Sequence, residues 1–245
     1  MTTLSAYALN FRGRLFPPLI SGGMGTNIST DRLALAIEKI GGIAHVSDAE
    51  LPDVCDRLFG TRFTAGKAKR FQALRTNSVK TEETFDLGAV REATLRYVGS
   101  LMERATGKGL LLINCMEKLT MNAGLETLKT RLNAALDAGI GGITLAAGLH
   151  LSSFRLMQEN KRFHDALLGI IVSSHRALNL FLRKSESTGR LPDYIVVEGP
   201  LAGGHLGFGM DWALYSLPAI VRQVKAYLAE KGLSLIHISE PTRRS

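Results

Sequence analysis

Short apolar runs alternate with helical patterns along most of this 245-residue chain, and this alternation limits what it can fold into. An apolar run followed by a helical pattern is typical of a βα unit, and consecutive βα units build a parallel sheet. The predicted strands are Pro18–Ser21, Gly42–Ser47, Gly109–Cys115, Ile140–Leu145, Ala166–Ser174 and Tyr194–Glu198. The predicted helices are Asp31–Ile40, Leu87–Ala105, Leu125–Ala138, His175–Lys184 and Trp212–Ala229. The sequence therefore predicts an α/β fold.

The number of predicted units indicates an incomplete TIM (β/α)8 barrel. A complete barrel takes about 250 residues, but here a polar stretch from Asp48 to Glu83 occupies chain that further units would need. Its weak periodicity predicts a functional loop or lid. We therefore expect about six of the eight βα units of a barrel in residues 1–232. An open doubly wound sheet is the alternative, because the same alternation would produce it.

The end of the chain, Leu233–Ser245, reads LSLIHISEPTRRS. Its segment Leu233–Arg243 resembles a translation of the transposon-end adapter used to prepare DNA sequencing libraries. Processing scars of this kind are excluded from fold reasoning. We therefore expect residues 233–245 to be non-native and the barrel to be cut before its last two units.

Composition limits the kinds of molecule that this chain is expected to bind. The formal net charge is +8, but Lys and Arg are scattered without a basic run, which suits a small anionic ligand and not nucleic acid. No apolar run approaches the roughly 18–20 residues of a membrane helix, and no signal-peptide pattern begins the chain, so we expect no membrane partner and a cytoplasmic location. Cys55 and Cys115 make neither a disulfide framework nor a zinc-ligand pattern, so we expect no metal.

Candidate site residues stand at strand ends, because the active sites of βα barrels lie where strands end and loops begin. The turn Ser21–Thr26 reads SGGMGT, and its glycines allow close approach to a flat or anionic ligand, although a plain tight turn has the same composition. Within it, Met24 either touches a ligand or fills the core. Asn114 ends an apolar strand, where its carboxamide either binds a heteroaromatic ring or is a satisfied buried group.

The sharpest feature is Gly203-Gly204-His205. Two glycines let the chain turn tightly over a ligand, and imidazole is the side chain best matched to proton transfer near neutral pH. A structural or merely solvated histidine is the alternative. Four other histidines are weaker candidates. His45 is expected to pack within its strand, and His150 could line the site near a strand end. His164 and His175 are expected at the surface or at a helix start.

Several segments together resemble the nitronate monooxygenase family, formerly called 2-nitropropane dioxygenases. They are PPLISGGMGT, LALAIEKIGGIAHVS, GLLLINCM, GITLAAGL, LGIIVSS and DYIVVEGPLAGGHLGF, in the family's order. The resemblance covers about residues 17–208, and EGPLAGGHLG after a strand is its most specific motif. It implies a TIM-barrel flavoprotein with noncovalent FMN that oxidises alkyl nitronates or nitroalkanes with molecular oxygen.

The resemblance also implies residue roles. The turn Gly22-Gly23-Met24-Gly25 and Asn114 would contact the flavin, and Gly203 and Gly204 would line the pocket. His205 would be the base that takes the α-proton from a neutral nitroalkane. With a nitronate, which is already anionic, His205 would position the substrate and help stabilise charge.

The chain departs from the family pattern in two ways, and two alternative functions remain. His150 stands where many relatives carry proline. Barrel phosphate sites usually come from the loops after strands seven and eight, which this chain is expected to lack. An FMN-dependent enoyl-ACP reductase, which shares the Gly-Gly-His loop, is one alternative. The other is an inactive, truncated barrel.

Overall fold

A computed structural model describes residues 7–26, 28–66, 86–117, 124–203 and 207–233 of the chain. Its strands are β1 (Leu9–Phe11), β2 (Arg14–Phe16), β3 (Ile43–Ser47), β4 (Leu110–Met116), β5 (Gly142–Ala146), β6 (Leu167–Val172) and β7 (Tyr194–Val197). Its α-helices are α1 (Asp31–Lys39), α2 (Leu51–Phe59), α3 (Leu87–Glu103), α4 (Gly124–Asp137), α5 (Ser153–Met157), α6 (His175–Ser185) and α7 (Leu217–Glu230). Short 3-10 turns cover Glu186–Thr188 and Trp212–Leu214. The predicted α/β class is confirmed.

The main sheet is parallel, and its strands lie side by side in the order β3-β4-β5-β6-β7. The predicted first strand, Pro18–Ser21, is only an isolated parallel bridge between Ile20 and Ile43 at the outer edge of β3. The Ser21 N–H donates to Ile43 O at 2.9 Å, and the Ile43 N–H donates to Leu19 O at 2.9 Å. Proline lacks a backbone N–H, so Pro18 adds no ladder donor and the pairing stays short.

One face of the sheet carries the helices. Because side chains alternate along a strand, residues such as Val46, Ile113 and Leu145 share one face, where they pack with helix residues such as Leu132 and Val224. All of these side chains are buried. Burying apolar area contributes about 25 cal/mol per Å², so this layer is the main source of stability.

The opposite face is covered at its amino-terminal end by an antiparallel hairpin, β1–β2. Phe11 and Phe16 of the hairpin pack with residues that begin the strands, among them Leu110, Leu167 and Tyr194. The Phe11 ring meets the Tyr194 ring edge-on, with centroids 5.4 Å apart. The carboxyl-terminal end of this face carries the polar side chains that form the candidate site.

Two predicted boundaries are wrong. The polar stretch Asp48–Glu83 was expected to be a loop or lid, but it contains helix α2, with residues 67–85 outside the described part. Pro52 suits the first turn of α2, where a missing N–H costs nothing. The predicted helix Trp212–Ala229 begins later, at Leu217, because Pro218 suits a helix start and disrupts an interior.

Candidate functional site

The Gly22–Gly25 turn and Asn114 come together at the carboxyl-terminal edge of the sheet. A Cβ added to Gly23 would overlap the Asn114 side chain, so only glycine allows this approach. Around Gly22 and Gly25, by contrast, no described atom lies within 4 Å of an added Cβ. The turn therefore contacts Asn114 at Gly23 and is open at Gly22 and Gly25.

Ser29 holds the turn in place. Its hydroxyl accepts the Met24 N–H at 2.7 Å and donates to Gly22 O at 3.2 Å. Its carbonyl accepts the Ser47 N–H at 3.3 Å, which ties the turn to the end of β3. The next residue, Thr30, caps α1 by accepting the Leu33 N–H. Met24 is 38% exposed and is therefore not a core residue.

Asn114 is buried, yet its Oδ1 atom has no hydrogen-bond partner among the described residues. Leaving a buried acceptor unpaired costs about 1–3 kcal/mol, so a satisfied structural asparagine does not explain it. A planar ring with an N–H donor, such as a flavin, would satisfy this oxygen beneath the open turn. This oxygen therefore fits the N–H edge of a planar ligand, the chemistry that the isoalloxazine ring of FMN offers.

Two buried opposite charges, which sequence reasoning missed, lie behind Asn114. Asp48 follows β3 and pairs with Arg131 of α4, and both are almost fully buried, at 1% and 4% exposure. Arg131 also donates to Met116 O at 2.9 Å. Burial raises the pKa of Asp48, and the Arg131 charge opposes that rise. A charged residue directly after a buried strand, and an arginine inside an amphipathic helix, were the available signals.

A second buried network crosses the same face as Asn114. His45 Nδ1 lies 2.6 Å from Ser21 O, and Nε2 lies 2.6 Å from Thr144 Oγ1. Thr144 in turn bonds the Tyr194 hydroxyl. The Tyr194 ring passes over Gly169, where any Cβ would overlap it. His45 therefore packs within its strand, as predicted.

His150 is fully partnered. Its Nδ1 lies 2.8 Å from Ser153 Oγ, and its Nε2 lies 2.6 Å from Ala146 O. Burial lowers its pKa to about 4. Its φ of 50° lies in the left-handed region, which proline cannot adopt, so the departure from proline at this position matches the local backbone. His164 and His175 are exposed, and His175 begins α6.

The Gly203-Gly204-His205 motif is described only in part. Gly204 and His205 lie outside the described residues. Gly203 is exposed, and no described atom lies within 4 Å of an added Cβ there. Beyond the gap, the Gly207 N–H donates to Glu198 at 3.1 Å and its carbonyl accepts the Ser173 hydroxyl at 3.1 Å. The far flank of the motif is thus anchored where β6 and β7 end.

A cavity of about 620 Å³ lies beside the turn, between α1, α2 and α3. Its polar lining includes Ser29, Ser47 and Tyr97, and its apolar lining includes Leu51 and Val54. Among the described residues, neither Asn114 nor Gly203 lines it. The predicted site residues that the structure describes and this cavity are therefore separate features of the same sheet edge.

The described residues contain no group of three or more His, Cys, Asp or Glu side chains placed to bind a metal ion. Within the same ranges, no helix combines the length and apolar character needed to cross a membrane. The chain matches no protein-family model and no curated protein.

Proposed function

We propose that this chain is the FMN-binding part of an oxidoreductase that oxidises alkyl nitronates or nitroalkanes with molecular oxygen. One observation carries the proposal: the buried, unpaired Oδ1 of Asn114 beneath the open turn at Gly22 and Gly25. An acceptor that stays unpaired inside a folded protein is evidence for a missing donor. The resemblance of the motifs to nitronate monooxygenases implies that FMN supplies this donor.

The sheet supports a barrel over a doubly wound sheet. A doubly wound sheet reverses its strand order at a switch point, whereas the described strands follow one another in a single direction. Right-handed crossovers in one direction place every helix on the same face, and the helices share one apolar layer. We therefore interpret the fold as part of a TIM barrel, with the hairpin covering the amino-terminal end of its interior.

The chain's own residues would bind and orient the flavin. Asn114 would accept a ring N–H, and the backbone of Gly22, Gly23, Met24 and Gly25 would line one side of the ring. FMN, when bound, supplies the redox chemistry by which the nitronate is oxidised and oxygen is reduced.

His205 would handle the proton. With a neutral nitroalkane, an imidazole nitrogen takes the α-proton and the substrate becomes the nitronate anion, so the proton resides on His205 when oxidation begins. A nitronate needs no such step. Gly207, two residues after His205, is held by Glu198 and Ser173 at the carboxyl-terminal edge, where the turn also lies.

FMN titration of the purified full chain, followed by oxygen-uptake measurements with nitronate and nitroalkane, tests the proposal. We expect FMN fluorescence to be quenched on binding and Asn114→Ala to weaken binding about tenfold, the effect of one lost hydrogen bond. His205→Asn should keep FMN but lower nitroalkane turnover by about 10²–10⁴, with a smaller effect on nitronate. His164→Asn, at an exposed position, is the control and should change neither.

Three results would contradict the proposal. An FMN-loaded chain that consumes no oxygen with nitronate rules out the assigned reaction. Flavin bleaching by NADH, reversed by an enoyl thioester, would assign the enoyl-ACP reductase reaction instead. A folded chain that binds no FMN would be the inactive barrel fragment.

A further inference from the structure

The buried pair of Asp48 and Arg131 needs a reason beyond stability. Moving two charges out of water costs free energy that their mutual attraction often only offsets, and apolar side chains of similar volume are frequently as stable. Both groups are nevertheless almost completely inaccessible to solvent. The hydrogen bonds that the two side chains make to other groups indicate the role of the pair.

Its hydrogen bonds converge on the main chain of β4 around Asn114. The Asp48 N–H donates to Asn114 O at 3.1 Å, and the Met116 N–H donates to the Asp48 carboxylate at 3.3 Å. Arg131 donates to Met116 O at 2.9 Å. The two side chains therefore fix the backbone at Met116, two residues after Asn114, while the Asp48 main chain holds Asn114 O. The direction of the Asn114 side chain follows from that backbone.

The pair lies on the other face of β4 from the candidate site. Cys115, which packs with the helices, hydrogen-bonds the Asp48 carboxylate. Asn114, one residue earlier, points to the opposite face and meets the Gly23 backbone there. Asp48 and Arg131 can thus act on a ligand only through Asn114.

We propose that Asp48 and Arg131 are positioning residues, which hold the end of β4 so that Asn114 Oδ1 faces the Gly22–Gly25 turn as a free acceptor for a ligand N–H. The proposal rests on the proposed function in taking FMN as that ligand. Because Gly23 touches the Asn114 side chain, a small shift of the β4 backbone displaces either the turn or the amide.

Two variants test the pair, and a third is the control. The double variant Asp48→Leu with Arg131→Met removes both charges and leaves no unpaired ion. Arg131→Lys keeps the positive charge but loses the planar fork that reaches Asp48 and Met116 O together. The control is Arg91→Gln. It removes an exposed ion pair, 3.1 Å long, between Arg91 of α3 and Asp137 of α4, the helix that also carries Arg131.

The first readout does not depend on FMN. In protein labelled with 15N-asparagine, Asn114→Asp identifies the side-chain amide resonance of Asn114. We expect this resonance to shift in both pair variants and to stay unchanged in Arg91→Gln. Thermal unfolding, measured on the same samples, establishes that each variant is folded; if the double variant is not, Arg131→Lys decides.

The second readout is FMN affinity by fluorescence titration. We expect about tenfold weaker binding in the pair variants, corresponding to one lost hydrogen bond. Folded variants with an unchanged Asn114 resonance and unchanged FMN affinity would overturn the positioning role. If the wild-type chain binds no FMN, the proposed function fails, and the resonance alone decides whether the pair positions Asn114.

Discussion

His45 is held neutral by burial, and its two partners fix which ring nitrogen carries the proton. Ser21 O is a carbonyl and can only accept, so Nδ1 carries the ring proton and Nε2 accepts from the Thr144 hydroxyl. Burial lowers the pKa of His45 to about 4, and burial does the same at His150. Both histidines therefore resist protonation in the folded state.

This resistance predicts a loss of stability on acidification. In the unfolded chain these histidines titrate at their ordinary pKa of about 6.5, so the unfolded state binds protons first as pH falls. The free energy of unfolding should fall from pH 6.5 towards pH 4, by about 2 kcal/mol per histidine at pH 5. Urea unfolding of the wild type and of His150→Asn, compared at pH 7 and pH 5, measures the share of His150.

Asparagine tolerates the left-handed backbone of position 150, so the His150→Asn variant should fold. Its stability should depend less on pH than that of the wild type. The exposed His164, replaced by Asn, provides the control and should leave the pH dependence unchanged. Equal pH dependence in all three proteins would show that His150 is not buried in its neutral form.

The two adjacent glycines of the turn predict opposite outcomes for the same substitution. Gly23→Ala forces a Cβ into Asn114, and overpacking of this kind costs about 1–3 kcal/mol. Gly22→Ala meets open space and should change the free energy of unfolding by less than about 0.5 kcal/mol. Urea midpoints of the two variants give the comparison. If Gly22→Ala were the more destabilising, the turn would not approach Asn114 at Gly23.

At the scale of elements, the caps of helices differ in a way that mutation can measure. The Thr30 side chain caps α1 by accepting the Leu33 N–H, whereas Ser216 begins α7 without a side-chain cap bond in the described chain. Thr30→Ala should lower the free energy of unfolding by about 1 kcal/mol, and Ser216→Ala by clearly less. Urea unfolding of both variants tests this, and equal losses would contradict the assignment of the cap.

Most strands and helices could be predicted because their patterns are local. Apolar runs such as Leu110–Met116, followed by helical periodicity, appear where βα units were expected. Helix α2 is hard to predict because its apolar positions, Leu51, Val54, Cys55 and Leu58, keep helical spacing over nine residues only, inside a polar stretch whose composition predicts a loop.

The hairpin could not be predicted, because contacts far along the chain stabilise its turn. Arg12 adopts a φ of 48°, which arginine rarely does. Its guanidinium donates to His164 O at 2.9 Å and Asp165 O at 2.8 Å, and pairs with Asp193 at 2.7 Å. The unpaired Oδ1 of Asn114 was equally hidden, since a sequence shows that a residue is polar but not whether it has a partner.

For the whole molecule, the hairpin packs against the sheet, so we expect the two to unfold as one cooperative unit. Its apolar side chains complete the cluster at the amino-terminal ends of the strands, and Arg12 ties its turn to the segments before β6 and β7. A hairpin alone is only marginally stable in water. Its folding should therefore depend on the sheet, and the stability of the sheet on the hairpin.

Phe11→Ala tests this dependence. Phe11 is 6% exposed and contacts the Phe16 and Tyr194 rings, so its truncation should cost about 3–5 kcal/mol. Leu15→Ala, in the same hairpin but 68% exposed, should cost less than about 0.5 kcal/mol. If hairpin and sheet unfold together, Phe11→Ala lowers the urea midpoint of the whole helical signal. An unchanged helical transition would instead show that the hairpin detaches on its own and leaves the parallel sheet standing.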